Sequence, residues 1–70
     1  MKIEYRLFEL REKAGLTITE LAEKSGVSKT QINHIENGLG NPTVLTICLL
    51  AEALGVEAGE LFEVISNSEK

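Results

Sequence analysis

Seventy residues with 43 % hydrophobic side chains, 26 % charged side chains and a formal net charge of −4 allow one small domain and exclude a second, catalytic one. The composition is close to the globular average, which excludes a disordered tail, a collagen and a coiled-coil rod. A single Cys closes no intramolecular disulfide and, with a single His, assembles no Cys-based zinc site. No metal or cofactor is therefore expected, and the compartment is read as reducing and cytoplasmic. The longest largely apolar stretch, 44–51, is far short of the roughly 20 residues that span a bilayer, and no leader-like apolar run follows a basic start. All eleven acids are Glu, which suits helices. An acidic chain by itself disfavours a nucleic-acid partner. The charge is uneven, however: residues 1–40 carry six Lys plus Arg and six Glu, whereas residues 41–70 carry one Lys and five Glu, the whole −4.

In chain order, Ile3, Leu7, Leu10 and Ala14 recur at steps of four, three and four, predicting a first helix over about 3–14 that Gly15 ends. Thr17-Ile-Thr-Glu20 reads as a capping box, in which a hydroxyl and a carboxylate satisfy reciprocal backbone donors. It opens a short second helix to Ser25, broken by Gly26. Ser28-Lys-Thr-Gln31 reads as a second box, starting a third helix that Asn37-Gly38 stops. Thr43 caps a fourth helix running to Leu54, with Gly55 at its end, and a fifth helical turn is expected at about 58–62. Val64 and Ile65 are the one ambiguous strand signal. The domain is placed at 1–65, with 66–70 as a polar, frayed tail.

Two short helices joined by a glycine turn form a helix-turn-helix. The arrangement needs a small residue where the helices cross, supplied by Ala22, and a residue tolerant of positive φ, supplied by Gly26. Leu21, Val27, Ile32 and Ile35 are its apolar posts. From about Leu7 to Phe62 the chain resembles the lambda-repressor-like, or XRE-type, helix-turn-helix family. The resemblance runs through Leu10-Arg11-Glu-Lys-Ala-Gly15-Leu16, Glu20-Leu-Ala22, Gly26-Val27-Ser28, Ile35-Glu36-Asn37-Gly38, Asn41-Pro42-Thr43, Ala53-Leu54-Gly55-Val56 and Glu60-Leu61-Phe62. It implies an all-α, compact five-helix DNA-binding domain, usually dimeric, whose third helix enters the DNA major groove.

Carried over position by position, the resemblance puts base reading on Lys29, Thr30, Asn33 and His34. The chemistry suits this: Lys donates to guanine O6 and N7, Asn pairs with adenine N6 and N7, and the Thr methyl meets a thymine methyl. Phosphate contacts fall on Thr17, Ser28, Gln31, Asn37 and Thr43, of which the capping residues are also explained by their helices alone. Arg11 and Glu36 match a structural ion pair joining the first helix to the end of the third. Cys48, on the apolar arc of the fourth helix, reads as a small buried hydrophobe.

Three features depart from the family pattern. Ile18 stands where a phosphate-reaching Gln is common, and the loop Leu39-Gly40-Asn41 lacks a cation. Leu45 and Leu49 occupy positions that are usually polar. Taking Val44 as the origin, they fall near +100° and +140°, outside a core arc of about −120° to +40°. Together with Val64 and Ile65 they are the expected dimer interface; the opposing reading has the C-terminal segment folding back over them. The expected function is a sequence-specific regulator, repressor-type, bound as a homodimer to a double-stranded DNA operator. The alternative is a protein-interaction module, antitoxin-like or co-regulatory, that keeps the fold and has a protein partner. No enzyme is expected, since His34 and Cys48 are each alone and there is no Asp. No membrane role is expected either, because the fourth helix has no cationic face.

Overall fold

The computed structural model describes residues 1–66. It consists of β1 (Lys2–Tyr5), α1 (Leu7–Ala14), α2 (Ile18–Ser25), α3 (Lys29–Glu36), α4 (Val44–Leu54), a 3₁₀ turn (Ala58–Glu60) and β2 (Phe62–Ile65). The expected all-α, five-helix architecture is therefore corrected to four helices, one 3₁₀ turn and a two-stranded antiparallel sheet. Of the expected tail, the residues beyond Ser66 lie outside the described residues.

The first correction is at the N-terminus. Lys2-Ile3-Glu4-Tyr5 alternates polar and apolar residues, the period of a strand, and pairs with β2 in the register Lys2↔Ile65, Ile3↔Val64, Glu4↔Glu63 and Tyr5↔Phe62. The step of four from Ile3 to Leu7 imitates a helical stripe across a strand-to-helix junction. Arg6, at φ −105° and ψ 25°, makes that junction, and its N–H is held by the Leu61 carbonyl at 2.8 Å. The fifth helix shrinks for a related reason: Phe62 belongs to the strand that β1 recruits, so only 58–60 remain helical.

The middle of the chain follows its local signals. At the start of α2 the Thr17 hydroxyl accepts from the Glu20 N–H at 3.0 Å while the Glu20 carboxylate accepts from the Thr17 N–H at 2.9 Å. At α3 the Ser28 hydroxyl accepts from the Gln31 N–H at 3.1 Å, without the reciprocal Gln31 contact among the described residues. Thr43 caps α4 in the same way, accepting from the Thr46 N–H at 3.1 Å. Gly26 turns α2 into α3 at φ 79°, a conformation that costs an L-residue with a Cβ roughly 1–2 kcal/mol.

Leu7, Leu21, Ile32, Leu50 and Leu61 are fully buried and meet Val27, Ile35, Ile47 and Ala51 in one core. Each large apolar side chain in it contributes about 1.5–3 kcal/mol by leaving water. The buried side of α4 is Ile47, Leu50 and Ala51, which lie within the expected arc at about −120° to −20°, so the arc holds but is narrower than expected. Val44 is 80 % exposed and Cys48 is exposed, which corrects the reading of Cys48 as buried: at about +40° on the helical wheel it falls on the edge that the core does not reach. No helix among the described residues is long and apolar enough to cross a membrane.

Candidate nucleic-acid interface

The frame holding α3 is built from apolar posts and one ion pair. Ile32 and Ile35 face the core, and Leu21 and Val27 fix the angle between α2 and α3. Arg11 reaches from α1: its Nε donates to Glu36 Oε2 at 2.6 Å, its Nη2 to Glu36 Oε1 at 3.1 Å and its Nη1 to the Leu16 carbonyl at 2.9 Å. The two side chains are 9 % and 7 % exposed, and the guanidinium also lies 5.3 Å from the centroid of the Phe8 ring. The hydrogen bond to Glu36 pushes the Arg11 pKa up against the opposing effect of burial. The pair is bidentate and leaves no buried side-chain donor or acceptor unpaired among the described residues.

With its apolar side committed, α3 turns Lys29, Thr30, Asn33 and His34 to solvent together. Ser28 and Asn37 are exposed at its two ends and Gln31 is half-buried. Thr17 and Thr43 are exposed at the starts of α2 and α4. The helix starts differ electrostatically. The first turns of α3 and α4 contain no acid, so their free N–H groups and positive dipole ends are open to an anion, whereas Glu20 sits in the first turn of α2.

Of the cations, Lys2 pairs with Glu4 at 3.6 Å, Arg6 with Glu63 at 2.6 Å, and Arg11 with Glu36. Among the described residues no ion pair engages Lys13, Lys24 or Lys29. Lys29 stands on the exposed face of α3 itself.

The apolar residues expected at an interface are divided by the sheet. Leu45 is 68 % exposed and Leu49 half-buried, and they line a groove with Cys48 and Val56. That groove continues through Cys48 and Ala58 into a hollow of about 350 Å³ lined by Ile3, Tyr5, Val44 and Phe62. Val64, directly opposite Ile3 on that face of the sheet, is brought to it. Ile65 is not: it pairs with Lys2 on the other face, because neighbouring residues of a strand point opposite ways. The described C-terminal segment pairs with β1 rather than covering Leu45, so the folding-back alternative does not occur among the described residues. Sequence reasoning missed Ile3, Val44 and Cys48 as parts of this surface. The alternation at 2–5 was the signal that would have found the first.

A family model described as helix-turn-helix matches residues 7–61. A transcriptional regulator of the helix-turn-helix type from Sinorhizobium fredii, y4dJ, is 46 % identical over 52 residues, 74 % of this chain and 68 % of its own length. Other curated relatives are longer, and the chain spans 28–54 % of each. Among solved structures, the restriction-modification controller protein C.AhdI from Aeromonas hydrophila is 38 % identical with a TM-score of 0.75, covering 79 % of this chain and 83 % of that one. The biofilm regulator SinR from Bacillus subtilis, solved in complex with DNA, is 33 % identical with a TM-score of 0.74 over 77 % of this chain and 87 % of that one. These relatives are transcriptional regulators and DNA-binding proteins rather than enzymes, and the chain belongs with them to the lambda-repressor-like, XRE-type helix-turn-helix family.

Proposed function

We propose that the protein is a sequence-specific, repressor-type regulator that binds double-stranded DNA as a homodimer in the cytoplasm. The observation that carries this reading is the polar, solvent-facing side of α3, with Lys29, Thr30, Asn33 and His34 on one exposed face of a rigidly buttressed helix. In the major groove each good contact from these residues discriminates by roughly 1–3 kcal/mol. Thr17, Ser28, Gln31 and Thr43, with the free N–H groups at the starts of α3 and α4, hold phosphate oxygens without full charges. Asn37 is set apart from this group, since its amide nitrogen donates back into α3, to the carbonyl oxygen and the Oδ1 of Asn33.

Two copies joined through the Leu45, Leu49 and Val64 surface carry two α3 helices to half-sites about one turn of DNA apart. Repression then follows from occupancy of the operator. The acidic residues after 40 lie outside α3, and the affinity rests on few cations.

Selection of bound sequences from a random duplex library, followed by a salt titration of the best site, tests the reading. Lys24 and Lys29 from each of two copies neutralise about four phosphates, so the expected log–log salt slope is about −4. Paired half-sites with that slope support the proposal. Binding with no preferred sequence, or none at all, favours the protein-interaction module, whose motivating feature is the exposed apolar groove along α4.

A further inference from the structure

The C-terminal end of α3 carries a contact that no helix-turn-helix framework requires. Asn37, just past the helix, folds its side chain back one turn. Its Nδ2 donates to the Asn33 carbonyl oxygen at 2.8 Å and to the Asn33 side-chain Oδ1 at 3.2 Å. Both contacts of the Asn37 carboxamide nitrogen therefore go to one residue. Neither contact serves to stabilise the core, because both side chains are exposed. The Asn37 backbone N–H already satisfies the Asn33 carbonyl at 3.1 Å, so the helix end does not depend on the side chain. The consequence of the second contact falls on Asn33.

A free asparagine turns its carboxamide over readily and so presents oxygen or nitrogen to a partner with little preference. Here a donor sits on Oδ1, which fixes which end of the group is oxygen. An amide oxygen has two lone pairs, and Asn37 takes one. The second lone pair and both Nδ2 hydrogens remain, and among the described residues no group accepts from that nitrogen. This is the set that adenine requires, with Oδ1 accepting from N6 and Nδ2 donating to N7.

We propose that Asn37 is a positioning residue for base reading: it orders the Asn33 carboxamide in advance so that Asn33 selects adenine at one position of each half-site. The role rests on the DNA-binding reading given above. It assigns to Asn37 a contribution to specificity rather than to phosphate affinity. Ordering one polar side chain before binding is worth about 2- to 12-fold in an equilibrium constant.

Asn37 is exposed and has φ −96°, so Asn37→Ala is tolerated by the fold. Two measurements decide. In the first, wild type, Asn37→Ala, Asn33→Ala and the double variant are run through the same random-duplex selection. The expected result is a roughly 2- to 12-fold loss of adenine preference at one base pair per half-site in Asn37→Ala, with the other positions unchanged, and no further loss when Asn33 is already alanine. A uniform loss of affinity over all sequences overturns the proposal, because that is how a phosphate contact behaves. In the second, NMR without DNA compares the χ1 couplings and side-chain amide signals of Asn33. The expected result is one rotamer in wild type and averaging in Asn37→Ala. Averaging already present in wild type overturns the positioning role even when DNA binds. Failure of wild type to saturate any duplex while Asn33 is ordered overturns the DNA reading, and the role with it.

Discussion

The two exposed faces of this small protein differ in kind. The face of α3 is polar and springs from a half of the chain whose charges cancel, while the face made by α4 and the sheet is apolar and, apart from β1, springs from the half that carries the whole net charge. Both are backed by the same core: Ile32 and Ile35 on one side and Ile47 and Leu50 on the other. Exposure alone therefore does not identify what a surface binds. Side-chain chemistry does: hydrogen-bonding groups on α3 suit base edges and phosphates, whereas Val44 at 80 % and Leu45 at 68 % exposure leave contiguous apolar surface in water.

The largest effect comes from the frame that both faces share. Arg11→Ala strands the carboxylate of Glu36, which is 7 % exposed, and is expected to cost about 3–5 kcal/mol in denaturant unfolding. If the loss is under about 1 kcal/mol, α3 is held by its apolar posts alone. Because the folded state raises the Arg11 pKa, first through the hydrogen bond it donates to Glu36, titration of Arg11 itself takes away none of this stabilisation below the ordinary guanidinium range and does so only above it. Unfolding followed from about pH 6 to 9 is therefore expected to show no slope from Arg11.

A smaller effect separates the faces of the sheet. Leu49→Glu and Val64→Lys are expected to shift sedimentation from dimer to monomer, while Ile65→Lys, on the other face, leaves the dimer intact. A monomeric wild type, or equal effects at Val64 and Ile65, removes the apolar surface from the association. The smallest effect belongs to the junction of β1 and α1: the Arg6–Glu63 pair is half-exposed on both sides, and Glu63→Gln is expected to move Tm no more than ordinary surface substitutions do.

The legible parts of this fold are those where a signal is local. The capping box at Thr17 and Glu20, the caps at Ser28 and Thr43, and the glycine ends at Gly26 and Gly55 depend on residues three or four apart, and each formed as spaced. The solvent face of α3 was legible for the same reason, since a period of 3.6 separates it from Ile32 and Ile35. What escaped were features that depend on a distant partner. Ile3 fits a helical stripe as well as a strand until Val64 lies opposite it, 61 residues later. The wheel places Cys48 on the apolar arc, yet it is exposed, because the wheel fixes the spacing of α4 but not the angle at which the helix meets the core.

The sequence by itself determined the helix-turn-helix: its helix starts, its glycine turn, its apolar posts and the polar residues left on the surface of α3. Tertiary structure decided the sheet, the burial of Arg11 with Glu36, the exposure of Val44 and Cys48, and the separation of Val64 from Ile65. The physical reason is range. Caps and periodicities act within one or two turns and are written in neighbouring residues, whereas strand register and the rotation of a helix against the core are set by packing between segments whose sequences carry no record of each other.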